Sequence, residues 1–358
     1  MAKVWFSDMT FDKYAQDSTL TAKFGRILDA AGLETGFKGA RTAVKMHVGR
    51  GTGYSTVPPI FVKILIDRLK KAGAEPYLID QSVDEAAARG YTESYFGCPI
   101  TTSCSVTEKY LYRKEIGFKT FDYANIGGNF HDADAVVVLS HVKGHGACGY
   151  GGACKNIAMG CVDDHTRGCI HGLETGLTWD ESKCTHCEDC LASCNHHANS
   201  FVDGKYEVFF HNCTLCQHCV KVCPTGAISP TGSNYEDFQQ GMALCTRAAL
   251  EHLPKEKVFF VNVMLQMTAM CDCWGFTTPS IVPDMGIAAS YDIVAVEQAC
   301  LDSIRNEDFL PQSVPVGFEM GTKGHLLERI HGKDPFLQLD KLAAQGLGSR
   351  TYERILVR

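Results

Sequence analysis

Cys184-Thr-His-Cys187-Glu-Asp-Cys190-Leu-Ala-Ser-Cys194 is followed, after 18 residues, by Cys213-Thr-Leu-Cys216-Gln-His-Cys219-Val-Lys-Val-Cys223-Pro224. Each half reads C-x2-C-x2-C-x3-C, the spacing by which a polypeptide wraps cubane iron–sulfur clusters. Three thiolates two residues apart on a tight loop reach three corners of one cube. The fourth, carried onto the start of a helix, points away and ligates the other cube. This rule predicts one [4Fe–4S] cluster on Cys184, Cys187, Cys190 and Cys223, and a second on Cys213, Cys216, Cys219 and Cys194. Structural zinc is the alternative, because paired C-x2-C units also hold zinc. Zinc needs neither a third cysteine at x2 nor a fourth at x3, and here both occur twice. One departure stands out: the first half ends Cys194-Asn195, where the motif prefers proline.

The chain around this stretch has 358 residues, enough for two or three domains and a large core. Charged residues make up 21% and hydrophobic ones 45%, a globular balance. A net charge of −7 argues against a nucleic-acid binder, which carries a basic excess. The start, Met1 to Asp8, lacks the apolar run of a signal peptide, and no stretch of 18 apolar residues predicts a membrane span. Eighteen cysteines without a secretion signal read as reduced thiols and metal ligands rather than disulfides. The expectation is a cytoplasmic metalloprotein from an anaerobic host.

Outward from the cysteine motifs the pattern is α/β. Residues 41–48 alternate as a strand, and Gly49-Arg-Gly-Thr-Gly53 turns the chain. Residues 58–72 form a helix that is apolar on nearly all sides, and residues 75–80 form the next strand, completing a parallel βαβ unit. A further helix is expected over 83–91. Ala135-Val-Val-Val-Leu-Ser140 is the apolar run of an internal parallel strand. Directly after it, His141 to Asn156 packs five glycines between Gly144 and Gly152 among lysines, histidines and cysteines. At the carboxyl end of a parallel strand such a loop predicts a ligand site. Gly144, Gly151 and Gly152 would let the backbone approach the ligand. Lys143 and Lys155 would add positive charge beside the N terminus of a helix starting near Gly152. Neither a Walker motif nor a complete dinucleotide fingerprint is present. Cys161, His165, Cys169 and His171 are irregularly spaced, with buried roles as plausible as metal binding.

Beyond the cysteine motifs, residues 235–253 read as an amphipathic helix with Cys245 in the core, and 257–265 as an apolar strand. Cys271-Asp272-Cys273 stands just past that strand and can offer two sulfurs to a further metal centre. Residues 291–296 read as a strand leading into a helix at 297–304. The tail, with helices over 324–330 and 336–344, packs either on the body or on a second copy of the chain, so a homodimer is one expectation. The organisation expected is an α/β body, mostly parallel, split into residues 1–178 and 233–358 by an inserted α+β ferredoxin-like domain at 179–232.

This order of motifs resembles one family, the domain-of-unknown-function family 362, described as iron–sulfur-centre proteins. The resemblance rests on Lys-Gly-His at 143–145, Gly-Gly-Ala-Cys-Lys-Asn at 151–156 and Met-Gly-Cys at 159–161. The doubled cysteine motif, Cys-Asp-Cys at 271–273 and Asp284-Met-Gly286 complete it. The family's common pattern has Leu where this chain has Cys154. The resemblance implies a cytoplasmic α/β protein with ferredoxin-type clusters and implies no settled reaction. At fold level it is also similar to the α/β halves of nickel-dependent lactate racemases, which use Lys and His around a bound cofactor.

The function expected is transfer of single low-potential electrons through two [4Fe–4S] clusters to or from a small-molecule substrate, cofactor or redox partner protein held by the body. The alternatives are a noncatalytic carrier or assembly module, and an isomerase or ligase with architectural clusters. Candidate proton-transfer and anion-binding residues are His47, Lys143, His145 and Lys155. Asp272 is a candidate cofactor-binding residue, and Cys271 and Cys273 are candidate electron acceptors or metal ligands. A cleft joining residues 143–155 with 271–284 would favour an enzyme over a carrier.

Overall fold

The computed structural model describes residues 1–174, 176–209, 212–213, 217–231 and 234–358. Its centre is an eight-stranded sheet: β1 (Ala2–Ser7), β2 (Arg41–Lys45), β3 (Glu75–Asp80), β4 (Ile100–Thr102), β5 (Ala135–His141), β6 (Val258–Met264), β7 (Gly286–Ser290) and β8 (Tyr352–Leu356). The spatial order is β8-β1-β7-β6-β5-β2-β3-β4. All pairs are parallel except those that β7 makes with β1 and β6. The fold is therefore α/β with a mostly parallel sheet, as the apolar strand patterns predict.

Both faces of the sheet are covered. Helices α1 (Leu20–Ala30) and α2 (Pro59–Lys71) pack Phe24, Ile27, Phe61, Leu65 and Leu69 on one side, together with Val137 and Leu139 of β5. On the other side lie α3 (Ala153–Gly160), α4 (Asp164–Gly172), α5 (Tyr235–Leu250) and α6 (Ile293–Ser303). There Ile157, Ile170, Phe238, Met242 and Val294 meet Val136 and Val138. β5 alternates between two cores, which is why its run from Ala135 to Leu139 is wholly apolar.

Several local expectations are corrected. The helix expected over 83–91 is only a 3-10 turn, Ala87–Arg89, because just Ala86 and Tyr91 are buried there and no apolar stripe exists to hold a longer helix. α2 buries one face, and Ile60 is exposed. The strand expected at 291–296 lies one element earlier, at β7. Asp292 instead caps α6 by accepting from the Ala295 N–H at 2.9 Å. The β-branched run Ile293-Val294-Ala295-Val296 is thus helical and fully packed, so burial overrides strand propensity. Strands β1 and β8 have no counterpart in the expected elements. β8 places the tail on the body, pairing Ala2 with Tyr352.

The helix N terminus at Gly152, expected to receive an outside anion, receives an internal one. Glu297 on α6 accepts from the Cys154 N–H at 2.9 Å, and its other oxygen lies 3.3 Å from Asn262 Nδ2. A side chain at Gly152 would collide with the Glu297 carboxylate and the Tyr150 hydroxyl, so glycine is needed for this internal contact. Burial pushes the Glu297 carboxyl up to about 7, against the opposing hydrogen bonds from Tyr150, Cys154, Asn262 and Ala153.

Leu177–Trp179 pairs antiparallel with Ile228–Pro230, closing the ends of a cysteine-rich lobe of the described residues between them. A small core of Leu177, Ala198, Tyr206 and Ile228 is shared with Cys190, Cys213 and Cys219.

The raised Glu297 value has a pH signature. Below pH 4.5 folded and unfolded chains both carry the proton, and the group's contribution to stability is fully present. As pH rises towards about 7 the unfolded chain ionises first, and roughly 3 kcal/mol is lost. Thermal melts of the wild type and Glu297→Gln between pH 4.5 and 8 are expected to show the wild type losing stability relative to the variant across that window. A pH-independent offset would contradict the assignment.

Candidate functional site

The strand order reverses between β2 and β5: the chain runs from β2 outward through β3 and β4, and from β5 outward through β6. In open α/β sheets a crevice opens at the carboxyl ends of such neighbours. Here it is a cleft of about 590 Å³, lined by Lys45 at the end of β2, His47 just after it, Asp80 at the end of β3, and Lys143 and His145 after β5. Lys155, Asn156 and Met159 of α3, Arg167 and His171 of α4, and Cys273 with Trp274 complete its walls.

Two buried carboxylates fix this geometry. Asp80 Oδ1 accepts from Lys45 Nζ at 3.0 Å, while Oδ2 lies 2.9 Å from His47 Nδ1 and 3.1 Å from the Val48 N. Burial works to raise its pKa, but the charges of Lys45 and His47 hold it far below the usual carboxylate range. Asp272 is built in the same way. Its Oδ1 accepts from Ser55 Oγ at 2.9 Å, and its Oδ2 lies 2.8 Å from His141 Nδ1 and 3.4 Å from Lys143 Nζ. Burial is again overcome, by His141 and Lys143, so the carboxyl stays ionised. Asn156 ties α3 to the strands, accepting from Lys45 Nζ at 2.6 Å and donating to the Leu139 carbonyl at 3.1 Å.

Asp272 sits in a 3-10 turn, Asp272–Trp274, and points inward, away from the cleft lining. The sulfurs on either side of it lie 2.8 Å apart. Lys155 Nζ stands 3.1 Å from Cys271 Sγ and 3.5 Å from Cys273 Sγ. Burial works to lower the Lys155 pKa, yet the two sulfurs hold it above its ordinary value. Within the sulfur pair, burial works to raise Cys271 but the Cys273 hydrogen bond and the Lys155 charge hold it low, while that same bond and burial push Cys273 up.

The glycine loop after β5 is a hairpin, Lys143–His145 against Gly149–Gly151, with Lys143 opposite Gly151. A side chain at Gly144 would strike the Ala269 carbonyl, so this glycine allows the hairpin to lie against the segment leading to Cys271. Gly144, Gly151 and Gly152 thus pack the loop, and none of them lines the cleft. His47, Lys143, His145, Lys155 and Cys273 all do, with Cys271 bonded to Lys155 behind them. Cys161 is buried in the core, and Cys169 Sγ lies 3.6 Å from His165 Nε2. Lys45, Asp80 and His141 were not among the residues singled out from sequence. Their signal is a charged or titratable residue at the carboxyl end of an otherwise apolar strand.

In the lobe, Cys184, Cys187, Cys190 and Cys223 line one small cavity. Cys194, Cys213 and Cys219 line another, and Cys216 lies outside the described residues.

Fold and site define an α/β protein with titratable and sulfur side chains gathered at the strand ends. Residues 42–302 match the family described as Domain of unknown function (DUF362), and the chain belongs to that family. Family membership, 18 cysteines and the grouping of His145 with Cys271 and Cys273 point to a metal-binding protein. The chain has no match among curated proteins. Among solved structures it is similar to the lactate racemase apoprotein from Thermoanaerobacterium thermosaccharolyticum, at 11% identity and a TM-score of 0.36. That match covers 74% of this chain and 51% of the other.

Removing Asp272 leaves His141 and Lys143 buried without their counter-charge. Asp272→Ala is expected to cost about 3–5 kcal/mol in denaturant unfolding. A loss under about 1 kcal/mol would show that this network does not hold the turn.

Proposed function

We propose that this chain is an iron–sulfur oxidoreductase of a reducing, anaerobic cytoplasm. In this reading the lobe holds two [4Fe–4S] clusters and the cleft binds the small molecule or redox partner they serve. The observation that carries it is the crossing of the fourth cysteines: Cys223 stands with Cys184, Cys187 and Cys190, while Cys194 stands with Cys213 and Cys219. The spacing rule requires this exchange for paired cubanes, and zinc sites do not. The loops repeat one another as well. Glu188 and Gln217 occupy equivalent positions, both take left-handed backbone conformations at φ 63°, and each starts a short helix.

When bound, the clusters supply single electrons at low potential. The rest of the chemistry belongs to the chain. Phe209 of the lobe meets the cleft-lining Trp274 edge to face, with ring centroids 4.9 Å apart. Lys333, buried beside the lobe, donates to the Gly146 carbonyl in the loop that carries His145. The Phe209–Trp274 contact sets the lobe against the cleft wall. Inside the cleft, His47 is held through Nδ1 by Asp80, and its Nε2 has no protein partner among the described residues. It is the group set to take or give a proton. Lys155 and Lys143 supply positive charge for an anionic substrate. An open, preorganised cleft favours an enzyme over a carrier that only docks a partner. Among the described residues no helix is long and apolar enough to cross a membrane.

Iron and sulfide analysis of protein purified without air tests this reading. About eight irons and eight sulfides per chain are expected, and Cys194→Ala is expected to lose about half. Zinc in place of iron contradicts it. Full iron with an unchanged reduced spectrum in Cys194→Ala would remove that residue from the ligand set.

A further inference from the structure

We propose that His145, Cys271 and Cys273 bind one divalent transition-metal ion in the wall of the cleft, leaving one coordination position open to substrate. Their ligand atoms lie within 4.8 Å of one another, and no other such group of three His, Cys, Asp or Glu side chains occurs among the described residues. Two sulfurs and an imidazole nitrogen are the donor set of zinc or iron(II), and are wrong for magnesium or calcium. Three protein ligands with a free fourth position are the arrangement of a catalytic ion, whereas structural zinc takes four. His145 and Cys273 line the cleft, so the free position faces it.

The ligands are preset by the groups packed around them. Asp272, between the two cysteines, is anchored by Ser55 at 2.9 Å and His141 at 2.8 Å, which turns both sulfurs to the opposite side. The His145 ring is held through Nδ1, 3.3 Å from Cys148 Sγ; ligation through Nε2 uses the Nδ1–H tautomer, which donates to that sulfur. Metal entry needs the sulfurs to part from 2.8 Å to about 3.8 Å, the span of two 2.3 Å bonds at a tetrahedral angle. Lys155 Nζ, 3.1 Å and 3.5 Å from them, balances the sulfur charge before the ion arrives. With the ion in place that ammonium is left to the open position, which selects an anionic oxygen ligand such as a carboxylate.

This site does not rest on the clusters, and the test separates the two. Full-length protein purified without air is dialysed against Zn²⁺. Zinc and iron are then counted, and the zinc environment is read by X-ray absorption at the zinc edge. About one zinc per chain is expected, with two sulfurs near 2.3 Å and nitrogen or oxygen near 2.0 Å as its neighbours. Cys273→Ser is expected to lose that zinc while its iron content is unchanged. A wild type that retains no stoichiometric zinc, or a four-sulfur zinc shell, overturns the proposal, as does full zinc retention in Cys273→Ser. Acid-labile sulfide, counted on the same samples, reports on the clusters alone.

Discussion

The burial of Asp272 among Ser55, His141 and Lys143 is the constraint on which the rest of the site depends. A carboxylate withdrawn from water is tolerated only when its charge and lone pairs are answered. Here the answers come from three separate segments, the loop after β2, the end of β5 and the hairpin behind it. One side chain therefore locks the Cys271–Cys273 turn to both strands that flank the switch point. Asp80 repeats the device one strand over with Lys45 and His47. Ionised groups at strand ends thus serve first as girders, and the cleft inherits their histidines and lysines already oriented.

The glycine loop does different work from that of a phosphate-binding loop. Its helix faces Glu297, which takes up the backbone N–H that an external anion would need. Positive charge in the cleft includes Lys155, itself balanced by two sulfurs. Such a site is electrostatically closed on itself until a ligand or an ion displaces one of these contacts.

Much of this was legible in the sequence. The run at 135–140 announced an internal parallel strand, and a cleft-lining loop at its carboxyl end followed from sheet geometry. Lys143, His145, Lys155 and Cys273 do meet in one cleft. What escaped was long-range. β1 and β8 find each other across nearly the whole chain, and neither carries a local signal strong enough to declare itself. Glu297, read as an ordinary helical residue, is the anion at the start of α3 because tertiary packing brings it there. Strand preference misplaced β7, since Ile293 to Val296 look extended until Asp292 is recognised as a cap. Lys45 and Asp80 were passed over as strand residues, although a buried charge in an apolar strand is itself a marker.

The central claim is that the lobe's sulfurs enclose two iron cubes against the wall of a preorganised cleft. Iron-edge anomalous diffraction from a crystal grown without air tests it most directly. The account predicts two separate four-iron peaks, one among Cys184, Cys187, Cys190 and Cys223, the other among Cys194, Cys213, Cys216 and Cys219. A single peak, or density for one zinc at either group, would contradict it.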